Sequence, residues 1–387
     1  MPRTPLPRRA SVVIIGGGVI GTSIAFHLAE AGGTDVLLLE RGELGTGSTC
    51  RAAGGVRAQF SDELNIALGA RSLEAFTRFA QRPGQEIDLH QVGYLFLLTT
   101  RAQVAAFERD VQLQNELGVT SRMIEVDEAE RLSPLIDTDG VLAAAYSPED
   151  GHCTPESVVL GYASGARRHG AVLRTGTSVL DIERRGDRVT GLVTDQGTVE
   201  ADTVICAAGA WSAGIGELAG VELPVQPVRR QVMFTEPMPD LAPVVPFTVD
   251  FATSFYFHRE GSGLLLGMSD PEQEPGFHLD YSEEWLPRLG EAIGTRAPAL
   301  LDVGLTPGWA GLYEVTPDHN ALIGRAAEPS NFLYATGFSG HGFLLGPAVG
   351  EVVRDLCLDQ DPFVDIGPLD VRRFADGAAI RPETHIV

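Results

Sequence analysis

"VVIIGGGVIG", Val12–Gly21, is the stretch whose reading decides the fold. Four β-branched apolar residues in a row read as a buried parallel strand over Ser11–Ile15, and the apolar pattern that follows the glycines reads as a helix to about Ala31. Gly16, Gly18 and Gly21 form G-x-G-x-x-G at that junction. Gly16 permits the tight turn, Gly18 lets the backbone approach a pyrophosphate, and Gly21 lets the helix pack closely on the strand, with the helix N-terminus offering amide donors to phosphate. A second strand over residues 35–40 completes a βαβ start. It ends on Glu40, where a carboxylate can take both ribose hydroxyls. Motif and context together predict dinucleotide binding.

Bulk properties narrow the class. With 387 residues and 44% apolar content, the chain can bury at least one large core, as two domains or one elaborated domain. A formal charge of −23 argues against nucleic acid and against an anionic membrane surface, and points to a soluble, cytoplasmic protein. Every basic residue is arginine, so no mechanism that needs a lysine can operate. Cys50, Cys153, Cys206 and Cys357 are scattered without C-x-x-C spacing, which favours a reducing compartment and gives no metal site. Arg8-Arg9 ahead of an apolar run resembles a twin-arginine export signal, but the run is short and ends in glycines, so it reads as the first strand.

Further along, Asp62–Gln81 has helical spacing and Gly93–Leu98 is strand-like. Thr100 and Gln103 form a capping box for a helix to Gly118, and "DEAERLSP" gives a short helix stopped by Pro134. In "CTPESVVLGYASGARRHG", Thr154 is the expected N-cap, Pro155 the first helical residue and Gly170 the stop. Strands alternate around the "RRGDR" and "TDQGT" turns, and Asp202–Gly209 reads as a buried strand. Residues 223–312 are rich in Pro, aromatics and short strands. Near the end, "LYATGFSGHGF", Leu333–Phe343, repeats the strand–glycine turn–helix logic of the opening.

The second strand runs into a small-residue segment, Arg41–Phe60, suited to a backbone lying flat along an extended cofactor, which favours FAD over NAD. Four segments then carry a resemblance: the glycine fingerprint with Glu40; "GSTCRAAGGVR" at 47–57; "DTVICAAGAWS" at 202–212; and "AGLYEVTPDHNALIG" at 310–324 followed by "GFSGHGFLLGPAVGEVV" at 337–353. The chain resembles the D-amino-acid-oxidase-like FAD-dependent oxidoreductases, on their sarcosine oxidase and dimethylglycine dehydrogenase branch, with glycine oxidase a related type.

The resemblance implies an α/β fold: a Rossmann-like FAD-binding domain of the glutathione-reductase type built from discontinuous segments (1–85, 150–220 and 312–387), plus a mixed or antiparallel β-sheet substrate domain with helices (86–149 and 221–311). It implies cofactor contacts from Gly16, Gly18, Val19, Ile20, Gly21, Glu40 and Arg41, and from Ser48, Thr49, Arg51, Ala53, Gly54 and Gly55. Val179, Ala208, Gly209, Trp211 and Gly311 would contribute from the middle of the chain, and Gly337, Gly340, His341, Gly342 and Phe343 from the second hinge. That hinge would aim a helix N-terminus at the pyrimidine edge of the flavin. Relatives that tether FAD do so at positions held here by Arg51 and Gly311, neither of which can form the link, so FAD is expected to be non-covalent.

Catalytic roles carried over fall on Arg57, matched to a carboxylate-gripping arginine, on the substrate-side aromatics Tyr256 and Tyr313, and on His341. His319 is expected to position the flavin, His27 to pack, and Glu314 is read as structural. Lysines of the monomeric sarcosine oxidases are replaced by Leu265 and Leu344, which removes one support for oxygen chemistry and makes the pocket more apolar.

The implied reaction is oxidation of a secondary or tertiary amine alpha to a carboxylate, with oxygen or an electron carrier as acceptor, an oxidase being slightly favoured over a dehydrogenase. Alternatives are a glycine or D-amino acid oxidoreductase, a 2-hydroxy acid oxidoreductase, or the flavin-bearing subunit of a hetero-oligomer. No metal is expected, and the assembly is a homo- or hetero-oligomer or neither.

Overall fold

The strand Arg9–Ile15 is sandwiched by parallel neighbours, Val36–Leu39 on one side and Gly197–Cys206 on the other. This explains its unbroken apolar run, since a central parallel strand is covered on both faces. The computed structural model describes residues 5–32, 35–374 and 382–385; the other positions within the expected domain ranges lie outside the described residues. Among the described residues, this strand belongs to an eight-stranded sheet. Its order is Leu322–Arg325, Phe332–Thr336, Gly197–Cys206, Arg9–Ile15, Val36–Leu39 and Val172–Arg174, with the hairpin Val179–Arg185 and Arg188–Thr194 joined to Gly197–Cys206. The strands before the two glycine turns, Arg9–Ile15 and Phe332–Thr336, both run parallel to Gly197–Cys206, which brings both turns to the same sheet end.

Three helices cover one face: Val19–Glu30, Pro155–Arg168 and Gly342–Cys357. Contact is close enough to demand glycine. A Cβ on Gly350 would lie 2.1 Å from Ser23 Oγ and 2.7 Å from His27 Nδ1. His27 is therefore a core residue, 1% exposed, with Nδ1 2.9 Å from the Ser23 carbonyl.

A second sheet of eight strands runs Leu305–Val315, Gln226–Thr235, Gly263–Met268, Phe255–Glu260, Phe247–Asp250, Tyr94–Leu98, Ala143–Ser147 and Arg122–Ile124. It is antiparallel except where Phe247–Asp250 meets Tyr94–Leu98. Alternation sorts its side chains: Leu95, Leu97, Phe257 and Leu266 pack with the helix Leu286–Arg296, while Tyr94, Phe96, Leu98 and Phe247 meet Phe107 of the helix Arg101–Glu116. The fold is thus α/β with mixed sheets.

Several local expectations hold at the level of atoms. Thr100 and Gln103 form a complete capping box. Pro155 opens its helix and Gly170, at φ +97°, follows its end. Thr154 occupies the N-cap position but makes no capping hydrogen bond with its side chain. The first strand begins at Arg9, so this arginine starts a central strand and pairs with Asp202 at 2.9 Å. In the region read as strands and aromatics, Leu286–Arg296 is an amphipathic helix, which Pro287 near its start and the glycines within it hide from a propensity reading.

Candidate active site

The first hinge is built as the fingerprint requires. Gly16 adopts φ +115°, and a Cβ there would meet the Ala207 carbonyl at 2.2 Å. On Gly21 a Cβ would lie 1.9 Å from the Gly16 carbonyl, so helix and turn touch through bare backbone. Gly18 is the N-cap of Val19–Glu30. Thr49 Oγ1 accepts from the Val19 amide at 3.1 Å, which ties the small-residue segment to the helix start. The Glu40 carboxylate accepts from the amides of Gly17 and Gly42, both at 2.7 Å. Its remaining lone pairs stay available to hydroxyl donors.

The second hinge mirrors this arrangement. Gly340, at φ +104°, and the N-cap His341 lead into Gly342–Cys357. A Cβ on Gly340 would lie 2.5 Å from the Tyr313 ring. Between the hinges runs a cavity of about 430 Å3. From the first hinge it is lined by Gly16, Gly18, Val19, Ile20, Glu40 and Arg41, then by Ser48, Thr49 and Arg51. Val179, Ala208, Gly209 and Trp211 follow, and Gly311, Tyr313, Gly340, Gly342 and Phe343 close the far end. Arg41 lies over the Trp211 ring at 3.8 Å, making a flat cationic shelf.

Other candidates lie behind this wall. Gly21 serves helix packing, as above. Gly54 abuts the Cys153 carbonyl and Gly55 pairs with His152. Gly337 packs against Thr316. Ala53 lines a second cavity, of about 420 Å3, together with His90, His152, Leu265 and Trp309. The rings of His152 and His258 lie 4.4 Å apart there. Ala52 lines both cavities, so the second adjoins the first. Leu344 is buried in the main core. His319 sits in a turn at φ +60° and does not line either cavity.

Arg57, at 3% exposure, is not on the cavity wall. Its guanidinium donates to the Gln59 carbonyl, to the His385 carbonyl at 2.5 Å and to His341 Nε2 at 3.2 Å, and its face lies 4.4 Å from the Phe60 ring. Because arginine has no acceptor, His341 must present a bare Nε2 and carry its proton on Nδ1. Burial, and then the Arg57 charge, push the His341 imidazole down to about 3. Tyr256 stacks on Phe247 with ring centroids 5.3 Å apart. Burial and then the neighbouring Tyr313 hold its phenol well above the usual range; burial also raises the Tyr313 phenol.

Two wall residues carry more than their sequence signals implied. Glu314 accepts from Thr336 Oγ1 at 3.0 Å, and burial pushes its carboxyl up to about 7, against the hydrogen bonds from Thr336 and the Gly337 and Phe338 amides. Arg230 also lines the cavity. In "PVRRQV" it reads as one more charge on a strand. Its position on the cavity wall opposite Gly311 of the facing strand depends on a pairing 81 residues apart.

These features match known proteins closely. The sequence model for FAD dependent oxidoreductases (DAO) matches residues 11–356. The chain belongs to that family. FAD is its cofactor, and the residues present fit that group: two glycine hinges that leave no room for a Cβ, a carboxylate at one end and a helix N-terminus at the other. The structure is similar to L-proline dehydrogenase from P. horikoshii, with a TM-score of 0.91 and 32% identity over 96% of this chain and 100% of that one. The sequence is 32% identical to mitochondrial dimethylglycine dehydrogenase of Mus musculus over 95% of this chain and 44% of the relative. It is 31% identical to the formaldehyde-forming 4-methylaminobutanoate oxidase of Paenarthrobacter nicotinovorans, over 96% of this chain and 46% of that protein. The chain thus spans less than half the length of these curated relatives.

Proposed function

We propose that the protein oxidises a secondary or tertiary amine alpha to a carboxylate, such as sarcosine, another N-substituted glycine or a cyclic imino acid. The observation that carries this reading is the wall at the second hinge. There Tyr313, an uncharged phenol, packs on Gly340 beside the start of the last helix, in a family whose similar members named above act on proline, dimethylglycine and a methylamino acid.

FAD, when bound, would supply the two-electron redox chemistry that turns the carbon bearing nitrogen into an imine, which water would hydrolyse. The protein supplies orientation and electrostatics. Tyr313, held above the usual phenol range, stays protonated near neutrality and serves as a wall that keeps water from the hydride path rather than as a base; Tyr256, also held protonated, lines neither cavity and packs behind it on Phe247. Neither phenol therefore takes a proton from the amine. The N-terminus of Gly342–Cys357 would offer its amide donors and positive dipole end to negative charge on a flavin held in the cavity. Glu314 braces the second glycine turn through Thr336.

Arg51 and Gly311 at the tethering positions support a flavin held without a covalent bond. Segments 1–85, 150–220 and 312–387 hold the flavin, and 86–149 and 221–311 face the substrate. The cytoplasm is the proposed compartment. Oxygen is favoured slightly as acceptor, with Leu265 in place of a lysine working against it.

Anaerobic mixing with a panel of N-alkylglycines, proline and 2-hydroxy acids tests the reading. Bleaching of the visible flavin absorbance by the amines supports it, and bleaching by hydroxy acids alone overturns it. Peroxide formed at the rate of substrate loss identifies oxygen as acceptor.

A further inference from the structure

Three arginines line the cavity, and two are already engaged: Arg41 stacks on Trp211 at 3.8 Å, and Arg51 donates to the Ala310 carbonyl at 2.6 Å. Arg230 differs. Its Nη1 donates at 3.0 Å to the carbonyl of Arg229, its own chain neighbour, and its Nε is shielded from solvent with no hydrogen-bond partner. Among the described residues no acidic side chain forms an ion pair with it. A guanidinium in a shielded wall, with a donor facing no acceptor, is costly unless an anion completes it.

The geometry points to Arg230, rather than Arg57, as the residue that grips the substrate carboxylate. Arg230 stands opposite Gly311 on the neighbouring strand, a residue that brings no side chain of its own and is covered by Arg51. Its Cζ lies 5.1 Å from the centre of the Tyr313 ring, which places the guanidinium at the hinge where the amine is proposed to react. The planar fork of arginine suits bidentate carboxylate binding. The fork of Arg57 is consumed by Gln59, His385 and His341. A net charge of −23 elsewhere makes an anchor for an anion inside the cavity all the more necessary.

The assignment rests on the amine-carboxylate reading, and its test separates the two. Flavin-loaded protein is titrated with acetate, which has the carboxylate but no amine, and with acetamide as the uncharged control, reading the shift of the visible flavin spectrum. Arg230→Gln is expected to weaken acetate binding about a hundredfold and to leave acetamide within about threefold, because only the charge-assisted pair is lost. Arg230→Lys keeps the charge without the fork and is expected to recover about tenfold of that loss, guarding against a variant that merely misfolds. Arg57→Gln that retains flavin is expected to bind acetate as the unmodified protein does. Acetate binding unaffected by Arg230→Gln, equal losses of acetate and acetamide, or no saturable acetate binding at all would overturn the assignment. Arg230-dependent acetate binding in a protein whose flavin no amine bleaches would keep the anchor and sink the amine chemistry.

Discussion

Arg57 Nη2 donates to His341 Nε2 across 3.2 Å, joining the small-residue segment of the first hinge to the N-cap of the second. The contact fixes the imidazole as its Nδ1–H tautomer. It also places a permanent charge beside a neutral ring, held down to about 3 by burial and then by Arg57.

Replacing Arg57 with Gln therefore acts first on stability. The fork's contacts to Gln59, His385 and His341 are lost, which should cost about 2–4 kcal/mol in chemical denaturation. With the cation gone, the His341 titration should rise, staying below the usual range because burial persists. Histidine proton resonances followed against pH read the shift; an unchanged His341 titration together with unchanged stability would contradict the bracing role.

Gly21→Ala should weaken flavin binding. A Cβ there lies 1.9 Å from the Gly16 carbonyl, so either the helix or the phosphate-facing turn must move. Overpacking of this kind costs about 1–3 kcal/mol, enough to lower flavin affinity by about tenfold. The ratio of visible to protein absorbance after gel filtration measures it, and full retention of colour would refute the close-packing account.

His27 gives a pH signature. Burial, and then Arg82, lower its imidazole to about 3, so the folded protein keeps it neutral where the unfolded chain binds a proton. The unfolded state thus holds more protons below about pH 6.5, and stability contributed by this site is lost as pH falls, by at most about 1.4 kcal/mol per unit. In His27→Asn, whose amide can still donate to the Ser23 carbonyl, melting should depend less on pH between about 6.5 and 4 than in the unmodified protein. Parallel pH profiles would show that His27 is not the group responsible.

Thr100→Ala tests a feature remote from the cavity. The hydroxyl accepts from the Gln103 amide at 3.2 Å, and the Gln103 side chain accepts from the Thr100 amide at 3.1 Å. Loss of this reciprocal cap should cost about 1 kcal/mol in urea unfolding with no change in flavin content. A drop in flavin would mean that the Arg101–Glu116 helix supports the cofactor more directly than its position indicates.

Much of this architecture was legible along the chain. The glycine fingerprint, the cap at Thr100 and the proline start at Pro155 depend on neighbours within a few residues, where backbone sterics and hydrogen bonding act. So did the cavity wall from Gly16 to Arg51, because a glycine motif encodes its own close approach. The helix Leu286–Arg296 escaped the reading because its stability comes from burying Leu289 and Ile293 against the second sheet, a tertiary gain that local propensity does not register.

The linear sequence by itself carried the two strand–glycine turn–helix junctions, since periodicity and backbone freedom are properties of short segments; that both open on one cavity came from the sheet order. Tertiary structure alone decided which arginine is free to bind. Arg57 is engaged by a carbonyl 328 positions away, while Arg230 reaches the cavity wall from a strand paired with Leu305–Val315 and keeps its Nε unpaired. Both are arginines on glycine-flanked or strand segments, and only the donors that the fold leaves unmet distinguish one from the other.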